Sequence, residues 1–465
     1  MVEMAEKMEV DTPETTQSET PEGVPNLPSA LDIPDIVDDG AIIAENSWAI
    51  VQMPSDNTKL VQFKANSVVN LGKFGSFHAK DLFGYPFDMP YEVYGDKQVR
   101  PASMNIYALD AFDLETEEGT TNKDLVDRRE AQKLSQVEIE QMKADSLKGQ
   151  VPVENLIKTI VENSETFDKK TEFSKAKYIK RKQKKFSKVF TPRRPSARGL
   201  CEHFFKDNPR RICELRVDTL SQILTTGNVR SGARYLIVDE AGGLLTCALV
   251  ERMQGRGEIL QLHDHETNNV DLIKHLNLPP SIHNVLKSLP WTRLTPNDDE
   301  DMENMLIRTT DETRLDRLRH RILTTRAKRA LLYAGGFDGL FIISQYDIKE
   351  IIETLSPYLA GSRPVVVYSP YKETMLESFL HLRNSRDFVN AQLTESWIRE
   401  YQLPTAASGT HPLMRMSGSG GYILSAIRVI DCETHAATAR RVRVKNGKVA
   451  EVKSTGEEGV EQEHA

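Results

Sequence analysis

Tyr235-Leu-Ile-Val-Asp-Glu-Ala-Gly-Gly-Leu-Leu-Thr-Cys-Ala-Leu-Val-Glu-Arg252 reads as a buried strand, a tight turn and a helix. That order opens a nucleotide-binding α/β fold, in which a glycine-rich turn lets backbone approach a ligand at a helix N-terminus. Gly242 and Gly243 are present here, but the turn is short and Leu244 and Leu245 follow at once. The chain keeps the frame of a cofactor-binding domain without the cradle, so its function is expected on other surfaces.

Strand and helix alternate around this unit, and residues 198–430 read as one domain. Tyr235–Val238, Ile259–Leu262, Gly339–Ile343 and Pro364–Tyr368 have the apolar runs of parallel strands. Helices fit at Leu244–Arg252, Val270–His275, Ile348–Leu355 and Lys372–Leu382, which gives a doubly wound sheet. An insertion spans about 290–330, with the acidic run Asp298-Asp-Glu-Asp301 and an Arg-rich helix through Arg314, Arg317, Arg321 and Arg329.

Upstream, residues 40–115 carry short β-forming runs at Ala41–Ala44, Trp48–Met53, Leu60–Phe63, Val68–Leu71, Gly75–His78, Tyr91–Tyr94 and Met104–Leu109. Their close spacing predicts a small β-barrel. Residues 116–197 read as a helical basic linker. Ser135-Gln-Val-Glu138 resembles a capping box for a helix over about 132–143, and Pro152 opens another through Glu162. The fold class is α/β plus β. Residues 1–39 form an acidic tail expected to be disordered, and 431–465 a C-terminal tail.

At 465 residues the chain is long enough for two or three domains. No apolar run approaches the roughly 20 residues of a spanning helix, and the acidic N-terminus lacks a signal-peptide core. Cys201, Cys213, Cys247 and Cys432 are scattered, which suits idle thiols in a reducing compartment better than a metal site.

The net charge of -8 conceals a segregation. Residues 1–39 hold eleven acids and one lysine, whereas 169–198 hold thirteen Lys or Arg and one acid, Glu172. Import into the nucleus would be satisfied by Lys180-Arg-Lys-Gln-Lys-Lys185 alone. This block is longer and interleaved with Phe167, Phe173, Tyr178, Phe186 and Phe190, so it is read as a nucleic-acid contact in which aromatics pack on ribose or base.

The cofactor-site positions are weakened together. An acid is wanted at the end of the second strand, where Gln261 stands, with Asp264 and Glu266 only later. The fourth strand ends in Ile342-Ile-Ser-Gln-Tyr346, a poor setting for a general base. His263 and His265 flank Asp264 without a third metal ligand. Ser417-Gly-Ser-Gly-Gly421 precedes the strand Tyr422–Ser425 rather than a helix, so it reads as a turn and not a phosphate site. The apolar strand Tyr422–Ile427 is expected to abut a partner.

Several stretches resemble one family: Leu134-Ser-Gln with Glu138-Ile-Glu140, Ile160-Val-Glu-Asn-Ser164, Lys170-Thr-Glu-Phe-Ser174, Lys177-Tyr-Ile-Lys180, Arg216-Val-Asp-Thr-Leu220, Gly336-Phe-Asp-Gly-Leu340, Tyr368-Ser-Pro-Tyr-Lys-Glu373 and Met416-Ser-Gly-Ser-Gly-Gly-Tyr422. They resemble the non-catalytic subunit of the eukaryotic tRNA (adenine-N1)-methyltransferase that modifies the T-loop adenine. The resemblance covers about 122–429. It implies an N-terminal β-barrel, a Rossmann-like methyltransferase fold and no cofactor in this chain. It also implies a paralogous catalytic partner that holds S-adenosylmethionine, within an α2β2 assembly on tRNA. In catalytic relatives a longer glycine turn follows Glu240-Ala-Gly242, and an acid stands near the position of Ile343. A nuclear location is expected, with no membrane association.

The residues expected on RNA are Asn122, Lys123, Arg128 and Arg129 between the domains, then Lys177, Lys180, Arg181, Lys182, Lys184 and Lys185. Arg210, Arg211 and Arg216 before the first parallel strand join them, as do Tyr371 and Lys372 at the edge where such sheets bind ligands. Two other readings stay open: an active methyltransferase with a divergent loop, and a nuclear or translation-linked RNA-binding scaffold.

Overall fold

A computed structural model of the chain describes residues 41–102, 132–147, 153–167, 170–265, 267–268, 270–296, 300–308, 311–402, 410–414, 416 and 418–430. The expected strand Met104–Leu109 and both tails lie outside the described residues.

The N-terminal part is built from β1 (Trp48–Gln52), β2 (Thr58–Gln62), the hairpin β3 (Val68–Asn70) and β4 (Ser76–His78), then β5 (Tyr91–Tyr94) and β6 (Gln98–Pro101). Ala41–Ala44 is not a strand: it makes only a bridge from Ile42 to Pro86. Three helices follow, α1 (Gln136–Leu147), α2 (Val153–Glu162) and α3 (Glu172–Phe186). The capping box starts α1: Ser135 N donates to Glu138 Oε2 at 2.8 Å, and Glu138 N to Ser135 Oγ at 3.3 Å.

The next strand, β7 (Val189–Arg193), comes from the stretch read as linker, yet it is central in the antiparallel sheet β2-β1-β7-β5-β6. Its two halves pair with different neighbours, Val189–Phe190 with β5 and Thr191–Arg193 with β1. That split accommodates Pro192, which lacks the N–H a continuous ladder needs. Phe190 of β7 stacks on Phe77 of β4 with ring centroids 4.6 Å apart, in a core shared with Ala49, Val51, Phe63 and Tyr91.

The larger part begins with α4 (Ala197–Asp207) and α5 (Val217–Thr226) and runs through β8 (Arg234–Asp239), α6 (Leu244–Met253), β9 (Glu258–His263), α7 (Pro280–His283) and β10 (Leu286–Pro290). Then come α8 (Glu300–Arg308), α9 (Glu312–Tyr333), β11 (Gly339–Ile343), α10 (Ile348–Leu355), β12 (Pro364–Ser369) and α11 (Glu373–Asn384). The chain closes with β13 (Phe388–Trp397), the short pair β14 (Tyr401–Gln402) and β15 (His411–Pro412), and β16 (Ser419–Arg428). The sheet order is β10-β9-β8-β11-β12-β16-β13, parallel through the first five and antiparallel in the last two.

Strand periodicity sorts the core into two layers. Tyr235 and Ile237 of β8 join Leu200, Ile223 and Leu249 from α4, α5 and α6, while Leu236 and Val238 join Leu332, Ile352 and Met375 from α9, α10 and α11. In α10 the buried Ile348, Ile351, Ile352 and Leu355 fall at helical spacing, and Asp347 caps the start by accepting from Lys349 N. The helix expected at Val270–His275 is instead a 3-10 turn over Asp271–Leu276. The segment just before it is pressed against the glycine turn after β8, and the tighter coil fits that short span. The strand expected to face a partner, β16, is internal: β12 and β13 flank it, and Ile423, Leu424 and Ala426 are buried.

Candidate nucleic-acid interface

The glycine turn packs closely against neighbouring segments of the chain. Asp239, at the end of β8, is buried, and its carboxylate accepts from Ala241 N (2.9 Å), Thr246 N (2.8 Å) and Thr246 Oγ1 (2.8 Å). Burial raises its pKa, against the pull of those bonds. Gly242 and Gly243 both take positive φ, 64° and 85°. A Cβ on Gly243 would stand 2.8 Å from Val270 Cα, and one on Gly242 would touch the Arg211 carbonyl and Leu272. Leu244 and Leu245 are buried at the start of α6. Glu240 is tied to the end of β11, where its carboxylate accepts from Ser344 Oγ (3.1 Å) and Gln345 N (2.7 Å). Gln261 is buried and accepts from Asn268 Nδ2 at 3.0 Å, and Ile343 is buried between Asp239 and Tyr368.

Helix α3 sorts its residues by face. At about 100° per residue, positions 177, 180, 181, 184 and 185 fall within roughly 140° of arc. Lys177, Lys180, Arg181 and Lys185 are exposed, and position 184 shares their face by its place in the helix. Among the described residues Lys180 and Arg181 form no ion pair. On the opposite face Ile179 packs with Ile157, Val161 and Phe167, and Phe186 with Leu156 and Ile160. Lys182 is half-buried, with its ammonium over the Tyr178 ring at 4.9 Å, and Lys185 lies 5.3 Å from the Phe186 ring centre. Three of the aromatics are therefore not base-stacking platforms. Phe167, Phe186 and Phe190 are core, and Tyr178 supports cations from below. The Phe173 side chain lies outside the described residues.

The sequence matches the Gcd10p family model over residues 42–318. This chain belongs to the Gcd10p family. Two relatives of nearly full length are each a "tRNA (adenine(58)-N(1))-methyltransferase non-catalytic subunit". The Schizosaccharomyces pombe protein is 31% identical over 449 residues, covering 87% of this chain and 96% of its own. That of Eremothecium gossypii is 32% identical over 455 residues, covering 85% and 96%. Among solved structures, the tRNA (m1A58) methyltransferase TrmI of Aquifex aeolicus aligns with 84% of this chain and 100% of its own, at 12% identity and a TM-score of 0.39.

In this Gcd10p family member the other candidate residues separate clearly. Asn122, Lys123, Arg128 and Arg129 lie outside the described residues. Arg210 and Arg211 are exposed on the 3-10 turn Pro209–Ile212, and the Arg211 guanidinium covers Phe204 at 4.8 Å. Tyr371 and Lys372 are exposed between β12 and α11, at the C-terminal edge of the parallel strands. Arg216 is different. It is buried, pairs with both oxygens of Asp218 (2.6 and 2.7 Å) and donates to the carbonyls of Gly418 and Ser419 (3.0 and 3.1 Å). A guanidinium so engaged has no reach toward a phosphate; it clamps the glycine-rich loop before β16. The Arg-rich helix of the insertion was expected through Arg314, Arg317, Arg321 and Arg329, and was not among the expected RNA contacts. Arg317, His320, Arg321 and Lys328 line one side of α9 with Thr324 and Thr325, a spacing of i, i+3, i+4, i+7, i+8, i+11.

Proposed function

We propose that this chain is the non-catalytic, tRNA-binding subunit of a tRNA (adenine-N1)-methyltransferase. It positions the T-loop adenine for a paralogous subunit that binds S-adenosylmethionine, in an α2β2 assembly. The observation that carries the reading is the turn after β8. Where a cofactor would approach backbone at the α6 N-terminus, Val270, Leu272 and the Arg211 carbonyl already lie against the two glycines. Asp239 spends its carboxylate on its own turn. These residues do not fit S-adenosylmethionine, so no chemistry is routed through this chain.

Its contribution is binding energy. A methyltransferase must bring a stacked base into its pocket at some unstacking cost. Phosphate contacts on a second subunit offset that cost and fix the register. The exposed face of α3 supports this, with Arg210, Arg211, Tyr371 and Lys372 as further contacts. The N-terminal sheet and the β3–β4 hairpin are read as a small barrel, on the strength of the Phe77–Phe190 stack between them. The edge strand β13 and its extension expose Val389, Trp397, Ile398 and Tyr401, and this apolar rim is read as the face for the catalytic partner. Lys180–Lys185 also suits nuclear import. Calorimetry with S-adenosylmethionine tests the reading: the isolated chain should give no one-to-one isotherm and the co-purified complex should give one. A clear isotherm with the isolated chain would sink it.

A further inference from the structure

Two neighbouring parallel strands end alike. Ile343 of β11 and Tyr368 of β12 are register partners, and each is followed by the same short pattern, Ser344-Gln-Tyr346 and Ser369-Pro-Tyr371. In both turns the serine Oγ accepts from the tyrosine N–H, at 3.1 Å. The two tyrosine backbones therefore stand at equivalent positions past strands about 5 Å apart, on the C-terminal edge where α/β sheets bind ligands. Both side chains are turned out: Tyr346 is 53% exposed and Tyr371 60%. Tyr346 is tied at its far end as well, its Oη donating at 2.7 Å to Oδ2 of Asp264, just past β9. Among the described residues neither ring packs on another ring or under a cation, so their faces are open.

We propose that Tyr346 and Tyr371 are stacking platforms for unpaired bases of the bound tRNA. Unstacked bases of RNA loops are held on aromatic rings, and every base offers a π-face to do so. The turn that carries Tyr346 does not suit a phosphate, because the charged groups beside it are the carboxylates of Glu240, Asp264 and Asp347. A protein face is not what these turns present. Ile343, Ile348 and Met375, the aliphatic side chains at their ends, are buried, and Gln345, Tyr346, Tyr371 and Lys372 are exposed. The core of a protein interface is apolar instead, like the β13 rim. Tyr346, already fixed at both ends, loses little freedom when a base stacks on it. The adenine to be methylated enters the partner's pocket, so the bases held here are other nucleotides, and holding them fixes the register.

This inference rests on the RNA-binding role proposed above, and the test separates the two. The full chain, co-purified with its catalytic partner, is prepared as wild type, as Y346A/Y371A, and as K180Q/R181Q/K185Q in α3. Affinity for tRNA is measured across a salt series. Y346A/Y371A should weaken binding about fivefold to a hundredfold, the range for a base that loses its aromatic ring. Its log–log salt slope should equal that of wild type, because stacking releases no counterion, whereas the α3 variant should have a shallower slope. A shallower slope in Y346A/Y371A would mean a phosphate contact and overturn the assignment. If only the α3 variant loses affinity, the stacking inference falls and the RNA-binding role stands. If neither does, both fall. A Y346A/Y371A chain that folds but no longer co-purifies with the catalytic partner would make the rings a protein contact and overturn the proposal. Two conservative pairs isolate the ring. Y346F/Y371F should stay within about threefold of wild type, losing only an exposed hydrogen bond, and Y346L/Y371L should resemble the alanine pair. Equal affinities for the phenylalanine and leucine pairs would overturn stacking.

Discussion

Arg216 carries a charge that the fold consumes. Its side chain is nearly sealed, paired with Asp218 and bonded to two carbonyls of the loop before β16. Removing one partner of such a pair leaves an uncompensated carboxylate, so Arg216→Met should cost about 3 kcal/mol in denaturant unfolding. Affinity for tRNA per folded molecule should not change; a specific loss of RNA binding would return Arg216 to the interface. The pair also sets a pH dependence. Burial opposes the Asp218 carboxylate, but Arg216 outweighs it and holds the carboxyl below the usual range. A depressed folded pKa contributes stability that is present above the unfolded value of about 3.9 and lost as pH falls through the folded one. Wild type should therefore lose more stability than Arg216→Met on acidification below about pH 4. The two glycines after β8 permit a finer comparison. Both need the left-handed region, so an alanine at either carries a strain of about 1–2 kcal/mol. Only at Gly243 would the new Cβ also press on backbone, at 2.8 Å. Gly243→Ala should thus unfold at lower denaturant than Gly242→Ala, and equal midpoints would contradict this packing.

At the scale of an element, α3 is a helix whose two faces have separate tasks. The buried face holds the hairpin with α2 through Ile179 and Phe186, and the exposed face presents cations. Lys177, Lys180, Arg181 and Lys185 changed together to Gln should leave the unfolding midpoint nearly unchanged. The salt slope of tRNA binding should fall by about 0.7–0.9 for each phosphate no longer neutralised. Lys182→Gln alone should do less, because its ammonium already rests on Tyr178. An intact slope in the four-site variant would leave the helix only an import role. Ile179→Asp should instead unfold the hairpin, seen as faster hydrogen exchange over residues 153–186. The basic composition of this stretch was plain in the sequence. The division of its aromatics was not, because charge density alone does not say which side of a helix finds a hydrophobic neighbour.

At the scale of the whole molecule, the N-terminal sheet is fastened to the larger part by the apolar packing of Ile50 and Leu60 and by specific polar bonds. The Asn277 side chain clasps Trp48, accepting from its N–H at 2.7 Å and donating to its carbonyl at 2.8 Å. Thr58 Oγ1 meets His203 Nδ1 at 2.7 Å, and Trp48 sits edge-on to His275 with centroids 4.2 Å apart. Asn277 has φ of 52°, so Asn277→Gly removes the clasp without adding backbone strain. It should cost about 1–3 kcal/mol and raise hydrogen exchange over residues 48–62. Burial holds the His275 pKa down at about 4, with Lys274 next among the causes. The unfolded chain takes up this proton near pH 6.5 and the folded chain does not, so stability should decline as pH falls from about 6.5 to about 4. His275→Phe should flatten that part of the profile.

The alternation of strand and helix after Arg198, the capped start of α1 and the basic block were all legible along the chain. Each is written in local periodicity or in residue types at short spacing, where backbone sterics and burial act directly. Where distant segments meet was settled in three dimensions alone. Folding put β7 in the middle of the N-terminal sheet, Arg216 in a clamp on a loop two hundred residues away, β16 between β12 and β13, and a row of α9 cations beside His263 and Arg293. Those outcomes turn on desolvation and pairing between residues far apart in the chain, which no single stretch of sequence records.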